Sequence, residues 1–272
     1  MRKSKKGTTA SKQELEVLDD SIESRFVDVG DVEDHLRMLI YGRSGTGKTH
    51  FLGTAPKPLL LLDVRDKGTK TIKYSPDVKV LAVRQWSDLE DVYWYLEGPG
   101  KGKFATVAID TLSQLQDMAI KSVRGNDDGM ISRRVWGETS SLMKTWLMLY
   151  RDLEMNVLYT AQDRADSVDD VDEDGAILPE IGPYLMPSTA KIINAAVDVI
   201  GNTFIRERDE KVKLKNGKTR TKTVTEFCMR LGPHARYTTK MRRDSSLGGE
   251  GVPSIVVNPT IAEILKISLG GK

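Results

Sequence analysis

Residues 42–49 read GRSGTGKT, that is Gly42, four residues, then Gly47, Lys48 and Thr49. They follow the apolar run LRMLIYG and open GKTHFLGTA, a segment that suits a helix. This strand, glycine loop and helix narrow the fold more than any other stretch, because each residue type has its own physical job. Glycines let backbone N–H groups converge on phosphate oxygens, and the start of the following helix adds a favourable dipole. Lys48 reaches the β- and γ-phosphates of a nucleoside triphosphate, and the Thr49 hydroxyl meets Mg2+. The expected nucleotide-binding residues are Gly42, Arg43, Ser44, Gly45, Thr46, Gly47, Lys48, Thr49 and His50, with ATP and Mg2+ as ligands.

A metal in such a loop needs an acidic residue at the end of a neighbouring strand. FATVAIDT supplies Asp110, so Thr49 and Asp110 are the expected metal residues. KPLLLLDV, VKVLAVR, FATVAID and MNVLYTA are apolar runs of buried-strand length. Between them lie the helical patterns SDLEDVYWYLEG, TLSQLQDMAIKSV and RRVWGETSSLMKTWLMLYRDL. In the last, Leu142, Trp146, Leu149, Tyr150 and Leu153 fall on one stripe, the signature of core packing. Strands alternating with helices predict an α/β fold, a mostly parallel sheet with helices on both faces. Beyond about residue 197 the texture becomes β-rich with NG and GP turns, and a last helix lies around PTIAEILKIS.

Residues 1–34 read as a basic, partly disordered tail, and residues 35–272 as the main domain. Within the tail, Ser11 and Glu14 make a capping box for a short helix carrying Leu15, Leu18 and Ile22. Lys+Arg number 41 against 39 Asp+Glu, so bulk charge demands no particular partner. The single cysteine, Cys228, excludes an internal disulfide and fits a reducing cytoplasm. The basic start has no apolar stretch after it, and no apolar run reaches membrane-spanning length. The three histidines, His35, His50 and His234, show no metal or triad spacing.

Taken in order, YG…GKT, KPLLLLD, AIDTLSQL, YTAQD, VDVIG and KMRR resemble the RecA-like P-loop ATPases across roughly residues 35–245. Within that superfamily the layout is most similar to the phage-type single-strand annealing recombinases, compact cores without a large separate oligomerisation domain. The resemblance implies a RecA-like NTPase core in which Gln162 senses the γ-phosphate. It also implies that Lys240 and Arg242, with Arg243 beside them, reach a nucleotide across a subunit boundary. A homo-oligomer, a DNA partner, an accompanying single-strand-binding protein and the cytoplasm of a host cell are implied in the same way. One departure matters. The family usually places a glutamate after the second strand to activate water, whereas here the stretch reads LLLLDVRDKG with Arg65 near that place. Asp66 or Asp63 is left to orient the water, which predicts slow hydrolysis or ATP acting mainly as a conformational ligand.

KVKLKNGKTRTKTV, residues 211–224, carries the strongest short hairpin signal, Asn216-Gly217. A two-residue turn there pairs Lys215 with Lys218, Lys213 with Arg220 and Lys211 with Lys222. All six cations then share one face of an antiparallel extension, with Val212, Leu214, Thr219 and Thr221 on the other. Like charges facing across a ladder destabilise it, so such a ribbon suits a polyanion that releases counterions on binding. No aromatic interleaves the cations, so contact with the DNA backbone without base readout is expected, the alternative being a solvated hairpin whose lysines only prevent edge pairing. The acidic stretch DRADSVDDVDEDG, 163–175, opens like a calcium loop, but the twelfth position from Asp170 is Ile181 rather than Glu. Two other functions stay open: a helicase or packaging-type motor, and a nucleotide-gated scaffold with little turnover. Thr111, directly after Asp110, stands where packaging motors carry a glutamate.

Overall fold

The computed structural model describes residues 22, 24–28, 30, 35–125, 129–166, 180–213, 219–243 and 251–269. Its compact units are Met1–Asp34 and His35–Lys272, and the capping-box helix expected at Ser11 lies outside the described residues. In the second unit, β1 (Arg37–Gly42) runs into the phosphate loop and the short α1 (Lys48–Leu52). Then come β2 (Leu59–Asp63), a 3-10 turn (Gly68–Ile72), β3 (Val78–Ala82) and α2 (Trp86–Glu97). They are followed by β4 (Thr106–Asp110), α3 (Leu112–Arg124), α4 (Arg133–Arg151) and β5 (Asn156–Ala161). A small hairpin of β6 (Asp163–Asp166) and β7 (Glu180–Pro183) precedes α5 (Pro187–Ala196). The long strands β8 (Val199–Lys213) and β9 (Thr219–Arg230), short β10 (Lys240–Met241) and β11 (Ile255–Val257), and α6 (Ile261–Leu269) complete the unit.

Among the described residues the main sheet has nine strands in the order β11-β9-β8-β1-β5-β4-β2-β3, with β10 paired to β8. The six central strands from β8 to β3 are parallel, and β9, β10 and β11 add to them antiparallel. Alternation along each strand feeds two cores. Leu39, Tyr41, Leu62, Ile109 and Tyr159 face α2, α3, α4 and α5. Met38, Ile40, Leu61 and Leu158 face Phe51 and Leu52 of α1 and Ile261 and Ile264 of α6. Each such side chain contributes roughly 1.5–3 kcal/mol when fully buried, and burial on both faces is why these strands read as continuous apolar runs. The stripe on α4 is centred on Thr139, Met143, Leu147 and Tyr150, with Leu142, Trp146 and Leu149 only partly buried beside it. Of the expected stripe, Tyr150 and Leu153 are in the core beneath α4 and the other three pack against it. No helix among the described residues is long and apolar enough to cross a membrane.

Candidate functional site

β8 runs parallel to β1 with Thr203 beside Gly42, and this pairing shapes the phosphate loop. A Cβ at Gly42 would lie 2.4 Å from the Thr203 carbonyl oxygen, so only glycine lets the chain leave the sheet there. The Thr46 hydroxyl donates to the Arg43 carbonyl at 2.8 Å and lies 2.7 Å from Thr203 Oγ1. Gly47 has φ 86°, a left-handed backbone, and a Cβ on it would meet the Phe227 ring at 3.2 Å. The loop is pinned between β8 and β9.

Ser44 to Phe51 line one side of a cavity of about 500 Å³, a size typical of small-molecule sites. His50 is part of that lining, whereas Gly42 and Arg43 serve through their carbonyls. Lys48 is buried and donates Nζ to Gly42 O at 2.7 Å and Arg43 O at 2.8 Å. Burial pulls its pKa below the ordinary lysine value, against the pull of Asp110, Asp66 and Asp163. An ammonium held by carbonyl dipoles in a partly dry pocket is a strong attractor for an anion.

Asp110 ends β4 and is almost fully buried. Its Oδ2 accepts from Thr49 Oγ1 at 2.8 Å, and its Oδ1 accepts from Thr160 Oγ1 at the end of β5. Burial pushes its pKa up, the two hydroxyl donors pull it down, and Asp66 and Lys48 act in opposite senses. A hydroxyl and a carboxylate oxygen side by side fit Mg2+, which takes one or two protein oxygens and keeps several waters; Thr49 and Asp110 would hold it. Gln162 lines the same cavity. Its backbone N–H donates to Ser113 Oγ at 3.0 Å, its carbonyl accepts from Tyr184 N at 2.6 Å, and Ser113 Oγ donates to Tyr184 O at 3.0 Å.

The structure separates the two acidic candidates after β2. Asp63 Oδ1 accepts from the N–H groups of Asp66 and Lys67, both at 3.0 Å, so Asp63 holds the turn. Asp66 lines the cavity, and its Oδ2 lies 3.2 Å from where a Gly68 Cβ would stand, beside Thr49. Arg65, at φ 62°, is exposed and donates Nη2 to Arg84 O at 3.2 Å. The opposite wall is Phe227 and Cys228 of β9 with Asn258, Pro259 and Thr260. Nothing in the local sequence marks that wall, because it forms only when β9 and β11 join the sheet edge. Thr203, Thr160 and Ser113 were likewise unmarked, each being an ordinary polar residue near a strand end.

Lys240 and Arg242 are not brought to this loop. Lys240 Nζ donates to the carbonyls of Asn194, Ala195 and Val197 at 2.9, 3.2 and 2.7 Å. Arg242 pairs with Asp198 Oδ1 at 2.9 Å and donates to Ala195 O at 3.1 Å. Both cap the C-terminal end of α5, where cations are favourable. Lys240 pairs with Ile200 on β8, beside Leu39 near the start of β1 rather than its phosphate-loop end.

The ribbon of β8 and β9 corrects the expected register. Its partners are Lys213 with Thr219, Val212 with Arg220, Lys211 with Thr221 and Glu210 with Lys222. The expected pairs Lys213–Arg220 and Lys211–Lys222 are absent, and Lys215 and Lys218 lie outside the described residues, as does the Asn216-Gly217 turn. A shift of one residue moves one strand's alternate set to the other face, so among the described residues Lys211 does not share a face with Arg220 and Lys222. The root decides the register: Thr203–Met229 and Phe204–Cys228 pair where Thr203, Cys228 and Met229 are buried. Arg206, Arg208, Arg220 and Lys222 now alternate onto one face with Glu210 and Glu226. Arg206 and Arg208 both bridge to Glu226, at 2.7 and 3.0 Å. Lys211 lies on the opposite face with Glu207 and Asp209, where the Thr223 hydroxyl donates to Asp209 at 2.8 Å. The segment 167–175 of the acidic stretch lies outside the described residues, and Asp163–Asp166 form β6.

No curated protein sequence matches the chain. Among solved structures, the RadB recombinase is similar at 14% identity over 62% of this chain and 74% of its own, with a TM-score of 0.35, a likeness too slight to carry an argument. A family model described as an AAA domain matches residues 34–243, a span that contains the phosphate loop, Asp66, Asp110, Gln162 and the whole ribbon. With that model spanning most of its length, the chain belongs to the AAA domain family.

Proposed function

We propose that the chain binds ATP with Mg2+ in the phosphate-loop pocket, hydrolyses it slowly, and acts on DNA in the manner of phage-type single-strand annealing recombinases. The observation that carries the reading is the Thr49–Asp110 contact of 2.8 Å directly beside buried Lys48, with Gln162 and Asp66 in the same cavity. Lys48 exchanges its two carbonyl partners for phosphate oxygens, which it binds more strongly. The ion held by Thr49 and Asp110 supplies Lewis-acid stabilisation of the charge that develops on the phosphates. Asp66 accepts a hydrogen bond from the attacking water and Gln162 contacts the γ-phosphate, which makes hydrolysis depend on positioning. Asp66 is shorter than the usual glutamate and sits on a different backbone position, which supports a low rate.

DNA meets the ribbon on the face of Arg206, Arg208, Arg220 and Lys222, through phosphates rather than base edges. Homo-oligomers place Lys240 and Arg242 near a neighbour's nucleotide; to contact it they must leave their carbonyl partners on α5. The test is steady-state ATP hydrolysis and annealing of complementary single strands by the wild-type chain and Asp110→Ala. Hydrolysis stimulated by single-stranded DNA and lost in the variant is the expected result. Absence of DNA binding at low salt would overturn the recombination reading. Arg65 favours a second reading, a nucleotide-gated scaffold; equal background rates for wild type and Asp110→Ala in a single turnover would select it.

A further inference from the structure

The cavity extends past the phosphate loop to a wall that no motif marks, and the sheet order says which part of a nucleotide belongs there. The loop leaves β1, with β5 and β4 on one side and β8 and β9 on the other. Asp110 and Gln162, at the ends of β4 and after β5, mark the metal and terminal-phosphate end. The rest of the ligand must run the other way, toward β9. There the Phe227 ring packs against Gly47, 3.2 Å from the position of its missing Cβ, yet the residue stays 41% exposed. Asn258 closes over it: its N–H donates to Phe227 O at 2.6 Å and its Oδ1 accepts from Phe227 N at 3.4 Å. Pro259 follows, and Ile261 N donates to Thr54 Oγ1 at 2.9 Å, tying this segment to the residues after α1. A large flat ring left open in the pocket wall, beside the phosphate loop, suits a planar apolar ligand surface.

We propose that Phe227 with Asn258 and Pro259 forms the nucleobase subsite, the base lying on the phenyl ring while the triphosphate lies in the loop. The proposal rests on the reading of the loop as a triphosphate site. It gives the nucleotide a contact on β9, the strand that continues into the cationic ribbon.

Binding of two Mg2+-complexed ligands, ATP and inorganic tripolyphosphate, separates the base contact from the phosphate contact. Phe227→Ala is expected to weaken ATP roughly ten- to hundredfold, the loss of one base–aromatic stack, and to leave tripolyphosphate unchanged. Phe227→Tyr, which keeps the ring, should restore ATP affinity. Unchanged ATP binding by Phe227→Ala, or an equal loss for both ligands, would overturn the subsite while the phosphate loop stands. Failure of the wild-type chain to bind either ligand would overturn the triphosphate reading, and the subsite with it.

Discussion

The phosphate loop and the β8–β9 ribbon hang on the same sheet and hold positive charge in opposite ways. Lys48 is one buried cation bonded to two carbonyls, with its pKa lowered by desolvation. The ribbon's cations are exposed and interleaved with acids: Arg206 and Arg208 on Glu226, Lys222 across from Glu210. A buried, preorganised charge supplies affinity for one small anion in one geometry. Exposed charges near acids are each worth little and act together on a long polyanion through counterion release. The loop should therefore fail all at once, and the ribbon by degrees.

The largest expected effect breaks the loop. Lys48→Ala should weaken ATP binding by about 100-fold or more, about 3 kcal/mol of charge-assisted contact, while leaving DNA binding by the ribbon in place at low salt. Equal ATP affinity in calorimetry would remove Lys48 from the site. A moderate effect is expected on the ribbon. Arg220→Gln with Lys222→Gln should lower the slope of log affinity against log salt for single-stranded DNA by about 1.4, without changing ATP affinity. Lys211→Gln, on the other face, should change the slope less; an equal change per charge would contradict the two-faced ribbon. The smallest effect is on the ion pairs. Glu226→Gln, which removes a largely covered carboxylate shared by the exposed Arg206 and Arg208, should lower the denaturant midpoint slightly and should raise DNA affinity slightly by freeing both arginines.

What could be read in advance follows the same division. The loop was legible because its contacts lie within residues 42–49 and because Asp110 and Gln162 end apolar strands, where a parallel sheet gathers side chains at one edge. Asp63 and Asp66 looked equivalent; only the two backbone N–H groups that Asp63 accepts show which one turns into the cavity. Phe227 and Asn258 were invisible because 31 residues separate them and only the β9–β11 pairing makes them neighbours. The ribbon misled for an energetic reason. Asn216-Gly217 is a strong local signal at the tip, but register is set where burial is at stake, and the packed root from Thr203 to Phe204 outweighs it. Lys240 and Arg242 were read for a neighbouring subunit; their contacts within the chain, to the carbonyls of Val197 and Ala195 at the end of α5, lie 43 and 47 positions away and were not legible.

The most direct measurement is calorimetric titration of the purified chain with a non-hydrolysable ATP analogue, with and without Mg2+. Saturable one-to-one binding that tightens with Mg2+, and loses that tightening in Asp110→Asn, is the predicted result. A chain that shows no heat of binding with Mg2+ present, or binds identically with and without the ion, would contradict the pocket described for Lys48, Thr49 and Asp110.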